Sequence, residues 1–271
     1  MTEIIDSAAN KKIKLMQSLL ARRHRMKEGL FRVEGLRLAE MAAASDFSLR
    51  FALYTEEFAQ KERGQKLLKA LQKKCPIYET SASLAKKIAA TDTPQGIFLA
   101  AEQKTENLEG LAKRRKQGQE PLYAVLDGVQ DPGNAGTIIR TADAVGADGV
   151  IFTKGSVDVF GDKTVRATMG SLFHLPIVTN VMAAELVDFA QKQGCQLLAT
   201  ALDETARPHF AVDFRRPSAI VCGNEGNGVS PELLKEAKKV YIPMYGKAES
   251  LNVGISAAVV LYEAVRQRRF A

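Results

Sequence analysis

Apolar residues along the chain fall into short runs that alternate with helical patterns. After residue 120, strand-like runs (YAVLD, GVIFT, LPIVT, QLLATAL, AIVCG, VYIPM) are separated by amphipathic patterns such as AELVDFAQKQ and PELLKEAKK. This alternation predicts a largely parallel sheet with helices on both faces. Before residue 104, shorter runs such as FRVEG, RFALYT, PIYET and GIFLAAE alternate with RLAEMAAA, GQKLLKALQKK and SLAKKIAA, which predicts a smaller α/β domain.

The stretch between these regions has few large apolar residues and no sustained period, so we interpret it as a linker. We therefore expect an N-terminal domain over residues 1–103, a linker over 104–120 and a C-terminal domain over 121–271. The last predicted helix, roughly 253–268, is apolar almost all the way round. Such a helix must be covered on most sides, and we expect its own sheet and a partner chain to cover it.

Composition narrows the class of protein. With 46% hydrophobic and 25% charged residues, the 271-residue chain is typical of globular proteins. No apolar run reaches the about 18 residues that cross a bilayer, and the N-terminus lacks a signal-peptide pattern, so we expect a cytoplasmic protein. The isolated Cys75, Cys195 and Cys222 and the three histidines show no metal-ligand spacing, so we expect buried thiols and no metal site.

The net charge of +7 is distributed unevenly. Residues 1–120 carry 23 Lys and Arg against 15 Asp and Glu, whereas residues 121–271 carry 15 against 16. A concentrated basic surface attracts a polyanion because neutralised phosphates release counterions. A solvated helix face is the alternative interpretation, but the asymmetry favours nucleic acid. The candidate RNA-binding residues are Lys11, Lys12, Lys14, Arg22, Arg23, Arg25, Lys27 and Arg32.

Three glycine-bearing turns follow predicted strands of the C-terminal domain, where ligands bind in open parallel sheets. Their sequences are DGVQDPGNAGTIIR, GNEGNGVS and YGKAESLN, and none is a dinucleotide or triphosphate motif. Singly, their polar residues could be structural: Asn134 could cap a helix, and Arg140 could pair with Asp143. Three such turns at one end of a sheet favour a functional site instead. Its candidate residues are Asn134, Arg140, Glu225, Ser250 and Asn252.

In order and spacing, the chain resembles the SpoU (TrmH-type) branch of the SPOUT RNA methyltransferases through DPGNAGTIIRTADAVGADGVIF, IVCGNEGNGVS and IPMYGKAESLNVGISAAVVLYEA. The N-terminal LFRVEGLRLAEMA and the α/β segment after it resemble the RNA substrate-binding domain of rRNA-modifying members. The resemblance implies methyl transfer from S-adenosylmethionine to a ribose 2'-hydroxyl, with ribosomal RNA favoured over transfer RNA. It further implies a C-terminal domain threaded into a trefoil knot and a homodimer packed through that domain.

The resemblance also assigns roles to individual residues. Arg140 matches an arginine to which the role of proton acceptor is often assigned in family members. Because a guanidinium stays protonated, we instead expect Arg140 to hold the target phosphate and stabilise the developing alkoxide, while a water or phosphate oxygen takes the proton. Asn134 and Glu225 would orient Arg140 or the ribose, and Ser250 and Asn252 would fix substrate and cofactor. The implied cofactor-binding residues are Thr200, Ala201, Gly223, Ile242, Met244, Leu251 and Asn252.

Three alternatives stay open at this point. A noncatalytic RNA-binding protein of the same fold would explain the basic N-terminal part, but it would not need intact motifs. A small-molecule α/β enzyme would explain the turns but not the charge asymmetry. A tRNA 2'-O-methyltransferase is the alternative within the family, and rRNA is favoured over it only because of the N-terminal domain.

Overall fold

The computed structural model describes residues 4–114 and 118–270. In chain order its strands are β1 Ile4–Ile5, β2 Leu30–Glu34, β3 Leu49–Thr55, β4 Ile77–Thr80, β5 Ile97–Glu102, β6 Leu122–Asp127, β7 Gly149–Thr153, β8 Ile177–Val181, β9 Gln196–Thr200, β10 Arg207–Pro208, β11 Ser218–Gly223 and β12 Lys238–Tyr241. Its α-helices are α1 Lys11–Ser18, α2 Arg22–Glu28, α3 Leu36–Ala44, α4 Glu56–Gln60, α5 Glu62–Leu71, α6 Ala82–Ile88, α7 Leu108–Lys113, α8 Pro132–Ala144, α9 Asp162–Ala167, α10 Ala183–Lys192, α11 Pro231–Glu236 and α12 Val253–Arg269. None of these helices is long and apolar enough to span a membrane.

The chain divides into two compact units. Unit 1 comprises Met1–Lys104 and Asp158–Phe173, and unit 2 comprises Thr105–Val157 and His174–Ala271. The segment 158–173 was expected in the C-terminal domain, but it packs with the N-terminal residues. The reason is an aromatic cluster in unit 1, where the Phe31 ring lies 4.9 Å from that of Phe160 and 6.3 Å from that of Phe173.

Unit 1 is built on a mixed five-stranded sheet with the order β1-β4-β3-β5-β2. The neighbours β1, β4 and β3 run parallel, while β5 is antiparallel to both β3 and β2. Helices α1 and α6 cover the sheet with fully buried side chains such as Ile13, Met16 and Ile88. This apolar face fixes α1, and it therefore also determines which of its lysines point outward.

Unit 2 is built on a seven-stranded sheet with the order β10-β12-β9-β11-β6-β7-β8, in which every neighbouring pair is parallel. The expectation of a largely parallel sheet is thus confirmed. The central strands are buried along their whole length, which matches their near-continuous apolar sequences. Because the strands are parallel, the turns that follow β6, β9, β11 and β12 lie at one end of the sheet.

Residues 104–120 differ from the expected linker. They contain α7, whose first turn is capped by the Asn107 side chain. Leu111 is 1% exposed and joins the core of unit 2. The backbone amide of Glu106 also donates to the carbonyl of Ile177 in β8, the edge strand of this sheet. A single buried leucine in this polar sequence was too weak a signal to predict the helix. Residues 115–117 of the expected linker lie outside the described residues.

Helices α8 and α12 pack against each other and bring the first and third turns together. Asp131 caps α8 by accepting a hydrogen bond from the Asn134 amide, and Pro132 opens the helix. Helix α12 buries one face, which includes Ala257, Val260, Leu261 and Ala264. Its unit therefore covers only part of this apolar helix, and Ile255 and Tyr262 are about half exposed, at 50% and 53%.

Candidate active site

A cavity of about 660 Å³, the donor cavity, opens where the turns after β9, β11 and β12 meet. Its wall combines the end of β11 and the start of α12 with the loop between β12 and α12. The structure brings together in this wall all seven residues that the resemblance assigned to the cofactor, namely Thr200, Ala201, Gly223, Ile242, Met244, Leu251 and Asn252. Glu225 and Ser250 line it as well.

A chain of side-chain hydrogen bonds joins the three turns. Asn134 Nδ2 donates to Glu225 Oε1 over 2.9 Å, and Asn252 Nδ2 donates to Asn134 Oδ1 over 2.8 Å. The backbone amides of Gln130 and Asp131 also donate to the Glu225 carboxylate, over 3.3 and 3.2 Å. These three side chains, one from each turn, therefore hold the turns in position relative to one another. Because Asn134 donates through Nδ2 and accepts through Oδ1, only one orientation of its side-chain amide makes both hydrogen bonds.

The carboxylate of Glu225 is kept ionised by these donors. Burial raises the pKa of Glu225, but the hydrogen bonds from Asn134 and from the backbone amides outweigh it, so the pKa lies below its ordinary value. A carboxylate with a lowered pKa is a poor proton acceptor. Glu225 is therefore suited to hold the first turn in place rather than to remove a proton from substrate.

Close backbone packing shapes the second turn. A Cβ on Gly223 would lie 2.1 Å from the carbonyl carbon of Gly228, so only glycine fits at the end of β11. Asn224 then closes the turn, because its Oδ1 accepts from the amides of Gly226 and Asn227 while its Nδ2 donates to the carbonyl of Gly128. This tight turn forms the part of the cavity wall that consists of backbone.

Arg140 does not line the donor cavity. It lies on the exposed side of α8, six residues after Asn134, which is about 9 Å along the helix axis. Within residues 4–114 and 118–270, no hydrogen bond joins Arg140 to Asn134 or Glu225, whose polar atoms bind each other and Asn252. That these two residues orient Arg140 or the ribose stays a prediction. Arg140 also forms no ion pair with Asp143 in the described part of the chain, where Asp143 accepts from His174 Nδ1 over 2.8 Å.

Some residues at the site were missed in the sequence. Asn224 and Glu249 both line the cavity. Asp127, at the end of β6, accepts from Thr153 Oγ1 and from the Ser230 amide, which ties the first turn to the second. The Asn-x-Gly-Asn pattern after a strand is a signal for an Asx turn that could have indicated Asn224. Nothing local marks Asp127, whose partners lie 26 and 103 residues away.

The candidate RNA-binding residues of unit 1 separate into two groups. Arg25 and Arg32 are buried, at 5% and 1% exposure, and are corrected from surface contacts to structural residues. Arg25 donates to Asp158 over 2.6 Å and to two backbone carbonyls, while Arg32 pairs with Glu34 and Asp162. Burial lowers the pKa of Arg32 despite these carboxylates. The other six remain accessible, with Lys12 lying over the Tyr78 ring; they are Lys11, Lys12, Lys14, Arg22, Arg23 and Lys27.

Other reactive groups do not assemble into a second centre. Cys75, Cys195 and Cys222 are buried free thiols, as expected, and burial raises their pKa to about 11, 12 and 12. They therefore stay protonated near neutral pH. Over residues 4–114 and 118–270, no group of three or more His, Cys, Asp or Glu side chains is placed to hold a metal ion.

Comparison with known proteins places this geometry in a family. The profile of the SpoU rRNA Methylase family matches residues 121–262, and that of the MRM3-like substrate binding domain matches residues 10–99. A Bacillus subtilis (strain 168) protein named 23S rRNA (guanosine(2553)-2'-O)-methyltransferase RlmP is 35% identical, over 95% of this chain and 97% of its own.

Two solved structures match over nearly the whole chain. An AdoMet-bound rRNA methyltransferase from Sinorhizobium meliloti has a TM-score of 0.87 at 30% identity, covering 100% of this chain and 99% of that one. The SpoU methyltransferase AviRb from Streptomyces viridochromogenes, also in complex with AdoMet, has a TM-score of 0.86 at 31% identity, covering 97% and 99%. The chain described here belongs to the SpoU rRNA methylase family and is an S-adenosylmethionine-dependent RNA ribose 2'-O-methyltransferase. The function and cofactor expected from its three motifs are thereby confirmed.

Proposed function

We propose that this protein methylates a ribose 2'-hydroxyl of ribosomal RNA, and that the residues around the donor cavity carry out the reaction. The observation that carries the proposal is the hydrogen-bonded chain from Glu225 through Asn134 to Asn252, which joins the three turns beside one cavity. The match of residues 10–99 to a substrate-binding domain supports rRNA rather than tRNA, as does the full-length similarity to a 23S rRNA enzyme. An rRNA substrate would also place the reaction in the cytoplasm.

The donor cavity fits S-adenosylmethionine in volume and chemistry. Its 660 Å³ lies within the range of about 300–1,000 Å³ that is usual for cofactor sites. The backbone near Gly223 allows close approach to a flat base, Ile242, Met244 and Leu251 supply apolar cover, and Glu249 supplies a carboxylate. When bound there, the cofactor supplies an activated methyl group.

The protein's own residues position and polarise the substrate. Glu225 holds the first turn and the Asn134 amide, and Asn134 in turn holds Asn252 at the cavity wall, with Ser250 beside it. Arg140 binds the phosphate next to the target ribose and stabilises negative charge on the oxygen as its proton leaves. A water or a phosphate oxygen takes that proton, since the guanidinium is already protonated.

Two further properties belong to the proposal. The loops after β9, β11 and β12 form a trefoil knot, and their convergence on one cavity supports this arrangement. The protein is a homodimer through unit 2, supported by the stripe of α12 that its own unit leaves uncovered, in which Ile255 and Tyr262 are half exposed. A second copy that packs on this stripe would cover the remaining apolar side of the helix.

The proposal is tested by separating donor binding from methyl transfer. Arg140→Ala should leave S-adenosylmethionine affinity by calorimetry nearly unchanged, because Arg140 does not line the cavity. Transfer of labelled methyl to rRNA should fall by about a hundredfold, as is typical for loss of an oxyanion-stabilising donor. Equal loss of both would make Arg140 part of the donor site, and normal transfer would remove it from the reaction.

The substrate and the absence of a metal requirement need separate measurements. The wild type should methylate purified rRNA but not tRNA, and transfer should persist in a chelator once RNA folding is controlled for. Binding of S-adenosylmethionine without transfer to any RNA would favour a noncatalytic RNA-binding protein. Mapping the 2'-O-methyl mark that disappears when the gene is deleted then identifies the nucleotide.

A further inference from the structure

A second cavity, the cationic cleft, lies along the β10 edge of the sheet of unit 2 and extends to the end of the sheet where β9 and β12 begin, opposite to the donor cavity. It has a volume of about 530 Å³, and its charged lining residues are Arg207, Asp213, Arg216, Lys238 and Lys239. Residues 121–271 carry a net charge of −1, so four cations around one cavity are a local concentration rather than a property of the whole domain. Neither the three motifs nor the basic residues of unit 1 contribute to it.

Two of these four cations are not neutralised inside the protein. Lys239 forms an ion pair with Asp203, and Asp213 is held by Arg215 over 2.8 Å with Arg216 close by. The side chains of Arg207 and Lys238 are exposed and have no ion-pair partner within residues 4–114 and 118–270. The cleft therefore presents a net positive surface to an anion from solution.

The lining of the cleft indicates what kind of anion fits. Its neutral members are short or polar residues such as Gln196, Thr205 and Ala211, and none of its lining residues is aromatic. A nucleobase would need a stacking surface, whereas a phosphate needs only cations and donors. The chemistry thus matches the backbone of a nucleic acid more closely than a nucleotide bound by its base.

Two strands connect the cleft to the donor cavity. Strand β9 begins at Gln196 in the cleft and ends at Thr200 in the donor cavity, and β12 begins at Lys238 and ends at Tyr241 in the same way. At about 3.3 Å per residue, the four steps along β9 correspond to about 13 Å. That is about four nucleotides of a stacked strand at about 3.4 Å each, and fewer of an extended one.

The edge of the sheet leaves a path between them. Strand β10, which carries Arg207, is the outermost strand beside β12. An RNA strand with its target ribose at the donor cavity can therefore run along this edge without crossing another strand of the sheet. We propose that the cationic cleft binds the phosphate backbone of the substrate RNA a few nucleotides from the methylated ribose. This inference rests on RNA being the substrate, as proposed above.

The test neutralises the cleft and varies RNA length. The variant is Arg207→Gln/Lys238→Gln. The matched control is Lys113→Gln/Lys154→Gln, two exposed lysines of unit 2 that lie at the end of α7 and directly after β7 and do not line the cleft. The probes are single-stranded homopolymer RNAs of about 4 and about 16 nucleotides, chosen from the span of the strands. Affinity is measured over a salt series, with S-adenosylmethionine binding by calorimetry as the check on folding.

For the long RNA, the cleft variant should lower the slope of log affinity against log salt by about 1.4, because about 0.7 is lost per single-strand phosphate contact. The short RNA, the control variant and the affinity for S-adenosylmethionine should be unaffected. In methyl transfer to rRNA, KM should rise while kcat stays unchanged. The inference would be overturned if the cleft variant left the slope for the long RNA unchanged, or if the control variant lowered it equally. It would also be overturned if the cleft bound pyrophosphate, added as a competing probe, but not the long RNA. Failure of the proposed function would appear separately, as absent transfer by the wild type.

Discussion

Asn252 donates a hydrogen bond from its side-chain amide to Oδ1 of Asn134 over 2.8 Å, while its own Oδ1 accepts from the amides of Gly254 and Ile255. One side chain therefore caps α12 and holds the first turn at the same time. The two halves of the amide have different tasks, and substitutions can separate them. This makes residue 252 the position where stability and catalysis can be measured independently.

Asn252→Asp keeps an oxygen that can cap α12 but loses the donor to Asn134. We expect its thermal unfolding to match that of the wild type, while methyl transfer falls by roughly tenfold, the equivalent of a hydrogen bond of about 1.4 kcal/mol. Asn252→Ala loses both tasks, so its free energy of unfolding should also fall by about 1 kcal/mol. An aspartate variant with full activity would show that the contact with Asn134 is dispensable.

Gly223 and Gly226 provide a matched pair within the second turn. A Cβ at Gly223 would meet the backbone of Gly228 at 2.1 Å, whereas one at Gly226 would meet only Asn224 Oδ1 at 3.6 Å, an ordinary contact. Gly223→Ala should therefore weaken S-adenosylmethionine binding by tenfold or more in calorimetry, and Gly226→Ala should bind like the wild type. Equal binding by the two variants would mean that the turn can move without affecting the donor cavity.

The strands of unit 2 and the turns around the donor cavity could be predicted from the sequence, whereas the burial of Arg25 and Arg32 could not. Apolar runs identified the parallel strands because those strands are buried along their length, and the polar residues beside glycines identified the turns around the cavity. Arg25 and Arg32 look the same in sequence as their exposed neighbours. Only the fold shows that the partner of Arg25 is Asp158, 133 residues away. The same long-range packing places residues 158–173 in unit 1, which no local pattern could reveal.

The proposed dimer predicts different outcomes at neighbouring positions of α12. Ile255→Asp and Tyr262→Asp alter half-exposed residues, so each should yield a monomer in light scattering with little change in thermal unfolding. Leu261→Asp would place a carboxylate at a fully buried position and should unfold or aggregate the protein. A monomeric wild type at working concentrations, or Ile255 and Tyr262 variants that remain dimers, would contradict the proposed interface.

Residues 158–173 belong to unit 1, so deleting the N-terminal residues changes their surroundings. A fragment that lacks residues 1–103 would lose Phe31, which packs against the rings of Phe160 and Phe173. Phe160 and Phe173 are 3% and 5% exposed in the full chain. We expect this fragment to bind a hydrophobic dye and to aggregate at concentrations where the full chain does not. A fragment that stays monodisperse and unfolds cooperatively would show that unit 2 tolerates the exposed segment.

The basic surface of unit 1 is therefore better tested by substitution in the full chain. Arg22→Gln/Arg23→Gln removes two exposed cations, and Lys69→Gln/Lys73→Gln is the matched control on and after α5. If the first pair contacts phosphates, the slope of log RNA affinity against log salt should fall by about 1.4 to 1.8, since each contact accounts for about 0.7 in single strands and about 0.9 in duplexes.

The control pair should leave this slope unchanged, and neither pair should change the affinity for S-adenosylmethionine.

Arg25→Gln tests the buried arginine separately from its exposed neighbours, because it breaks the pair with Asp158 and the bonds to the Leu19 and Leu20 carbonyls. It should lower the free energy of unfolding by roughly 3 kcal/mol while leaving the salt slope intact, as expected when one partner of a buried ion pair is removed. A salt slope that responds to Arg25 but not to Arg22 and Arg23 would make the exposed cluster an ordinary solvated surface, and RNA recognition would then have to reside in unit 2.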